Sequence, residues 1–321
     1  MLLAGDVGGT KTQLALYEFK GPMRPRFLRT YPTKAYTSLR ALLESFLEEA
    51  GVKDLEALCL AVAGPVLKGR VDMVNVGWKF SEGDLSRYFH TKVKILNDLE
   101  SLAFAIPHLS SKAFFPLFKR RAEPQGNIGV IAAGTGLGQA MLIRKGALGA
   151  VPVATEGGHT EFAADREEEW LLYKWLKARY GHVSLERVLS GPGLENIYRF
   201  LQEWHGETGP GLSAPEITRL ALQGESLAAE ALDIFVRLYG REAGNLALRC
   251  MATGGIFLGG GIAPKILVFL QRDSFLKAFL DKGRLRWFVE KVPVKVVRHP
   301  YAVLQGAGLY ARAYLRPEVR Q

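Results

Sequence analysis

Asn97 and Asp98 sit where one structural pattern hands over to another, in the stretch KVKILNDLESLAFAIP. Val93 to Leu96 reads as a buried strand. Leu99, Leu102, Ala103 and Ile106 then repeat at helical spacing. A carboxylate at such a seam lies at the mouth of a crevice, where an α/β sheet places its chemistry. The same Asp could do no more than cap the helix that follows. Its company argues for chemistry. The chain also carries two glycine-threonine loops, a glycine triplet and a Glu-Gly-Gly-His segment.

The first loop is GDVGGT, residues 5–10. Its glycines let the backbone turn and bring N–H groups to an anion with no Cβ in the way. The Thr10 hydroxyl adds a donor. Asp6 cannot cradle phosphate, because like charges repel. Its natural task is to hold a hydrated Mg²⁺ that neutralises the phosphates. An ordinary hairpin turn is the competing reading. The second loop, AAGTGLG at 132–138, has no acid. Gly134, Gly136 and Gly138 are spaced G-x-G-x-G, and a strand-like QAMLI follows where a dinucleotide fingerprint needs a helix, which argues against NAD. LGGGI (258–262) follows a strand and precedes an expected helix from Pro264. It suits a flat base or ribose, with phosphate near the helix N-terminus. Glycine triplets also serve tight packing alone.

TEGGHTEF (155–162) and HVSLERVLSGPG (182–193) supply Glu156, His159 and Glu186. Acids and an imidazole suit a sugar's vicinal hydroxyls, each of which can donate to a carboxylate and accept from an amide or imidazole. A metal site ranks second, because Gly157 and Gly158 make the segment a loop rather than a helix with ligands four apart. Taken alone, Glu186 reads as a helix-surface acid.

These residues must be held by an alternation of strands and helices. Strands are expected at 2–6, 13–19, 26–31, 57–64 and 93–96, with helices at 38–50 and 81–90, the latter opening on a Ser-x-x-Asp start. Residues 112–127 have two prolines and a basic cluster, and read as a connection. Strand, glycine turn and strand then recur. Gly9, Thr10, Ala15, Lys20 and Gly21 match Gly134, Thr135, Ala140, Lys145 and Gly146 at a constant offset. This points to two similar α/β halves with a cleft between them, each offering one phosphate loop. Helices are expected at 167–180, 192–204, 214–222 and 226–252, then a strand at 294–298 and a helix at 303–315.

Composition sets the outer limits. The chain has 321 residues, 48% hydrophobic, enough for one large domain or two ordinary ones. It has no apolar run of the ~18 residues that span a bilayer. MLLAGDVGGT lacks a secretory signal's pattern, and motif residues start at position 5, so neither a leader nor an N-terminal DNA-binding module is expected. The net charge of +10 is spread without an aromatic-interleaved stripe, which argues against nucleic acid. Cys59 and Cys250 stand far apart in apolar surroundings and read as reduced core thiols of a cytoplasmic protein.

Together the motifs resemble the bacterial glucokinases, ATP-dependent kinases of the actin-like, hexokinase-type superfamily. GDVGGT, ILND with AIP, AGTGLG, EGGH, GHVSLERVLSGPGL, GNLAL and GGGIAP stand in family order across nearly the whole chain. The resemblance implies an actin-like ATPase (ribonuclease H-like) fold, with two similar α/β domains around a cleft. Residues 1–108 plus 299–321 would form the small domain and 109–298 the large one. It implies Asp98 as general base toward the sugar 6-hydroxyl, with Asn97, Asp98, Glu156, His159 and Glu186 binding the sugar. Gly5, Asp6, Val7, Gly8, Gly9, Thr10, Gly134, Thr135, Gly136 and Gly138 would bind the cofactor, with Gly8, Gly9, Thr10 and the 134–138 loop around the ATP phosphates. Gly260 and Gly261 would meet the adenosine, and Asp6 would hold Mg²⁺ through water. The expected partners are glucose and ATP, with no membrane, in a homodimer. Other readings are a kinase of another hexose (mannose, fructose or an amino sugar) and a non-catalytic sugar sensor. Lys11 departs from the usual Asn and resembles the neighbouring repressor–kinase–open-reading-frame family. That family's cysteine-rich zinc motif has no counterpart between Cys59 and Cys250. Gly64 stands where relatives often carry Cys.

Overall fold

The computed structural model describes residues 1–144, 146 and 149–316. They fall into two compact units, Met1–Ser110 with 299–316, and the described part of Ser111–Arg298.

In the first unit, β1 (Leu2–Val7), β2 (Lys11–Tyr17) and β3 (Phe27–Pro32) form an antiparallel meander. β4 (Ala57–Val62) pairs parallel with β1. A small antiparallel hairpin, β5 (Arg70–Met73) with β6 (Trp78–Ser81), stands apart. β7 (Lys92–Asn97) closes the sheet order β3-β2-β1-β4-β7. LLAGDV and ALCLAV are almost continuously apolar because β1 and β4 are covered on both faces. Alternation decides which cover each residue meets. Leu3, Leu14, Leu58 and Leu60 pack with Leu39, Leu42, Leu43 and Phe46 of the helix Leu39–Ala50. Leu2, Ala4, Ala15, Cys59 and Ala61 face Leu304, Ala307 and Ala311 of the helix Ala302–Tyr314. The second face is lined by small side chains, so that helix comes close. A Cβ on Gly306 would strike the Ser101 carbonyl of the helix Asp98–Ala105.

The second unit holds β8 (Phe114–Phe118), β9 (Ile128–Ala133), β10 (Leu137–Arg144), β11 (Ala150–Thr155), β12 (Gly255–Gly259) and β13 (Val294–Val297). Their order is β11-β10-β9-β12-β13-β8. An antiparallel β9–β10–β11 meander with β12 and β13 parallel to β9 repeats the first unit's pattern, and β8 adds one more edge. The long helix Ser226–Arg249 centres the larger core, packed by Gly191–His205, Ala214–Gln223 and Asp273–Leu280.

β8 corrects the reading of 112–127 as mere connection. Pro116 argued against a strand, since proline cannot donate to a ladder. The strand is an edge strand, where proline is tolerated. Its register with β13 also shifts between Val294 and Lys295, beside the Lys295–Pro116 pairing. The internal repeat is present but not gapless. Val7 pairs with Thr12 across the first turn and Ala133 with Leu137 across the second, so the second turn is one residue shorter. Lys145 of the expected matches lies outside the described residues, as do 317–321 of the expected small domain.

Both cysteines are buried and free, and burial pushes the Cys250 thiol up to about 12. Among the described residues no helix is long and apolar enough to cross a membrane.

Candidate functional site

In the first unit, three parallel strands deliver their carboxyl ends side by side. Asp6 of β1 lies in register with Ala61 of β4, and Val62 of β4 with Asn97 of β7. The seam divides its labour differently from the sequence expectation. Asn97, not Asp98, is the N-cap. Its Oδ1 accepts from the Leu99 and Glu100 amides at 3.0 and 3.4 Å, and the Glu100 carboxylate accepts from the Asn97 amide at 3.0 Å. This is a reciprocal capping box, each side chain satisfying an orphan helix donor. Asn97 Nδ2 also donates to the Gly64 carbonyl at 3.0 Å. Asp98 is thereby the first helical residue, half-buried, its Oδ1 accepting from the Leu99 amide at 2.9 Å.

Asp6 is close enough to feel Asp98. Burial first, then the negative charge of Asp98, push its carboxyl up to about 7, against the pull of Lys11. Two carboxylates close together in a half-dry site favour a proton or a cation beside them. That donor set fits Mg²⁺, which binds through one or two carboxylates, waters and substrate phosphates rather than an all-protein cage. The 8–11 turn is braced by Thr33, which the motifs did not reveal. Thr33 Oγ1 donates to the Gly8 carbonyl at 2.7 Å, and its amide donates to the Thr10 carbonyl at 3.0 Å. No pattern marks Thr33 in the sequence, because it follows β3 as an ordinary strand-end residue. Gly8 and Gly9 are partly open and Thr10 is exposed. Gly5 and Val7 are not open. Val7 is in the core, and a Cβ on Gly5 would meet Leu60 and Leu14 at 2.6 and 2.9 Å. At those two positions the side-chain direction serves packing.

In the second unit, the turn Gly134–Gly136 leaves the carboxyl end of β9, and Thr135 at its tip is exposed. The Gly134 amide donates to the Gly136 carbonyl, and the Gly191 amide to the Gly134 carbonyl, both at 2.8 Å. Gly138 lies just inside β10, in ladder register with Ala132. Glu186 is not a surface acid of a long helix. It sits in a short 3₁₀ turn, Leu185–Arg187, and its Oε2 accepts from the Leu137 amide at 2.9 Å. A Cβ on Gly136 would come within 2.5 Å of that oxygen. Gly157–His159 form another 3₁₀ turn, and Gly158 could not carry a Cβ without striking the Leu137 carbonyl. Glu156 and His159 are exposed, with Oε2 and Nε2 3.9 Å apart. The unit thus brings Glu156, His159 and Glu186 to the start of β10.

Gly260 follows β12 at the end beside β9. Its φ is +79°, and a Cβ there would strike the Ala133 carbonyl, so glycine is required twice over. The expected helix from Pro264 is instead a 3₁₀ turn, Ala263–Ile266, followed by one helical turn, Leu267–Leu270. The helix that follows the glycine triplet is thus shorter than expected. Gly261 has nothing within 4 Å of its Cβ direction. Gly260→Ala is expected to cost about 1–3 kcal/mol for a strained non-glycine conformation, while Gly261→Ala leaves the melting temperature unchanged. Equal melting temperatures for the two variants would refute this account of the loop.

The comparisons with known proteins show the family. The family model described as Glucokinase matches residues 3–314. A curated glucokinase of Marinobacter nauticus is 38% identical over 310 residues, covering 95% of each chain. One from Caulobacter vibrioides is 36% identical over 312 residues, covering 96% of this chain and 94% of the relative. Among solved structures, a glucokinase from an Antarctic psychrotroph superposes with a TM-score of 0.85 at 33% identity, covering 95% of this chain and 97% of that one. The fold is the actin-like ATPase fold.

Proposed function

The chain belongs to the glucokinase family, and we propose that it transfers the γ-phosphoryl group of ATP to the 6-hydroxyl of D-glucose, giving glucose 6-phosphate and ADP. The observation that carries this reading is the position of Asp98 at the first turn of the helix that Asn97 caps, beside the second acid Asp6. A carboxylate just past the carboxyl end of a parallel strand would serve proton chemistry, next to a carboxylate suited to a hydrated cation.

In this reading the sugar oxygen bonds to the γ-phosphorus as the bond to ADP breaks, and Asp98 accepts the hydroxyl proton. Mg²⁺, when bound with the nucleotide, supplies charge neutralisation on the phosphates. Asp6 would hold it through water. Gly8, Gly9 and Thr10, with Gly134, Thr135 and Gly136, would present backbone donors to the phosphates, and Gly260 and Gly261 would leave room for the adenosine. Glu156, His159 and Glu186 would read the remaining hydroxyls. Asn97 would join them with whatever donor capacity its cap and the Gly64 carbonyl leave. Two buried free thiols suit a reducing, cytoplasmic setting.

The test is a coupled ADP-release assay with glucose, mannose, fructose and glucosamine as acceptors. Glucose is expected to give the highest kcat/KM. Absence of sugar-dependent ADP release would sink the reading, and preference for another hexose would replace glucose with that sugar.

His159→Ala separates the two substrates. The side chain is 61% exposed, so its loss should leave the fold intact. The sugar KM is expected to rise about tenfold, the worth of one hydrogen bond, with the ATP KM nearly unchanged. An equal rise in both would remove His159 from the sugar side.

A further inference from the structure

The glycine turn that carries Glu156 and His159 rests on one side chain that no motif marks. Gln139 of β10 is only 2% exposed. Its Nε2 donates to Glu242 Oε1 at 2.8 Å, and its Oε1 accepts from Arg249 Nη1 at 3.4 Å. Glu242, also buried, is itself paired with Arg249 and accepts from Asn245 Nδ2 at 3.0 Å. Both ends of the Gln139 amide are therefore fixed by the helix Ser226–Arg249, and the amide cannot flip without leaving a buried donor and acceptor unpaired.

Gly157 lies directly on that amide. A Cβ at Gly157 would stand 2.6 Å from Gln139 Oε1. Thr155 joins the same spot from the backbone side. Its Oγ1 donates to the Gln139 carbonyl and accepts from the Gly157 amide, both at 3.2 Å. The turn then runs on to the Glu186 segment, since the Leu185 amide donates to the Thr160 carbonyl at 2.8 Å. Two residues before Gln139, the Leu137 amide is held by Glu186. The first residues of β10 are thus the common seat of Glu156, His159 and Glu186.

We propose that Gln139, fixed by Glu242 and Arg249, is a positioning residue that sets the sugar-binding geometry of Glu156 and His159 without touching substrate. The proposal rests on the functional reading above. Misplacing a binding group by a fraction of an ångström weakens its hydrogen bonds, and buried support is what prevents this.

The test measures glucose affinity calorimetrically without ATP, alongside kinetics and melting temperature. Gln139→Ala is expected to weaken glucose binding about tenfold, the loss of one well-aligned hydrogen bond, with ATP KM and kcat within about threefold. Gln139→Glu should be worse, because it sets two buried carboxylates against each other. The double variant Gln139→Glu with Glu242→Gln exchanges the amide and the carboxylate, and should restore glucose affinity to within about threefold of the parent. A folded Gln139→Ala protein with unchanged glucose affinity would overturn the proposal, leaving Gln139 a structural residue. A double variant no better than Gln139→Glu would overturn the pairing that fixes it. Failure of the parent protein to bind glucose would instead bring down the functional reading, and the proposal with it.

Discussion

Asp98→Asn is expected to lower kcat by about 10²–10⁴-fold, the usual contribution of a positioned proton acceptor. The structure makes this variant unusually clean. The Leu99 amide, which Asp98 Oδ1 accepts at 2.9 Å, finds an equivalent acceptor in the new side chain. The helix start does not depend on residue 98, because Asn97 and Glu100 form the cap. The melting temperature should therefore hold. Nucleotide affinity should hold or improve, because the variant removes the negative charge that presses on Asp6. Sugar affinity should stay within about tenfold, since an amide keeps hydrogen bonds but cannot take the proton. The measurement is steady-state kinetics in both substrates with a thermal melt. A variant that turns over at near-normal rate would exclude Asp98 as the base. One that loses rate and melts early would show that the side chain serves the fold.

Much of the site was legible because its residues are forced by local physics. The strand–acid–helix seam at 93–99 shows in the hydrophobic pattern. The turns after β1 and β9 show because glycines and a threonine break otherwise apolar runs. What stayed hidden depends on contacts distant in sequence. Asn97 and Asp98 both suit an N-cap, and only the Glu100 carboxylate returning to the Asn97 amide settles which one caps. Glu186 reads as a surface acid until the fold sets it on the Leu137 amide, 49 residues away. Gln139 and Glu242 are separated by 103 residues and read in isolation as a polar interruption of a strand and a helix acid.

Strands were missed for similar reasons. Phe114–Phe118 was hidden by Pro116, whose tolerance depends on β8 being an edge. The β5–β6 hairpin, RVDM against WKFS, is too short and too mixed in polarity to stand out, and it forms a two-stranded sheet of its own. The helix expected from Pro264 failed the other way. Proline at a first turn is a fair start signal, but the chain there relaxes into a 3₁₀ turn and one short helix before a second start at Asp273.

Glu169→Gln should cause the largest loss of stability among single changes away from the proposed site. Glu169 lies on the helix Glu167–Tyr180 with a wholly buried side chain. It accepts from Arg241 at 2.7 and 3.0 Å, from Arg237 Nε at 3.2 Å, and from the Asp165 amide at 2.9 Å. Arg237 also pairs with Glu168. Removing the central charge leaves two guanidinium groups competing for Glu168 and Asp165. Breaking one partner of a buried pair costs about 3–5 kcal/mol. The pH dependence has a definite sign. Burial alone would raise the Glu169 carboxyl, but Arg241, the Asp165 amide and Arg237 together hold it below its ordinary 4.5. A depressed carboxylate stabilises the fold above the unfolded value and loses that contribution as pH falls through the native one. The gap in melting temperature between the parent and Glu169→Gln should therefore be full at pH 7, and begin to close only below about 4.5, where the parent's own carboxylate takes up a proton. Melting curves from pH 7 to pH 3 would decide it. A gap that stays constant across that range would show that the variant fails by packing and not by charge.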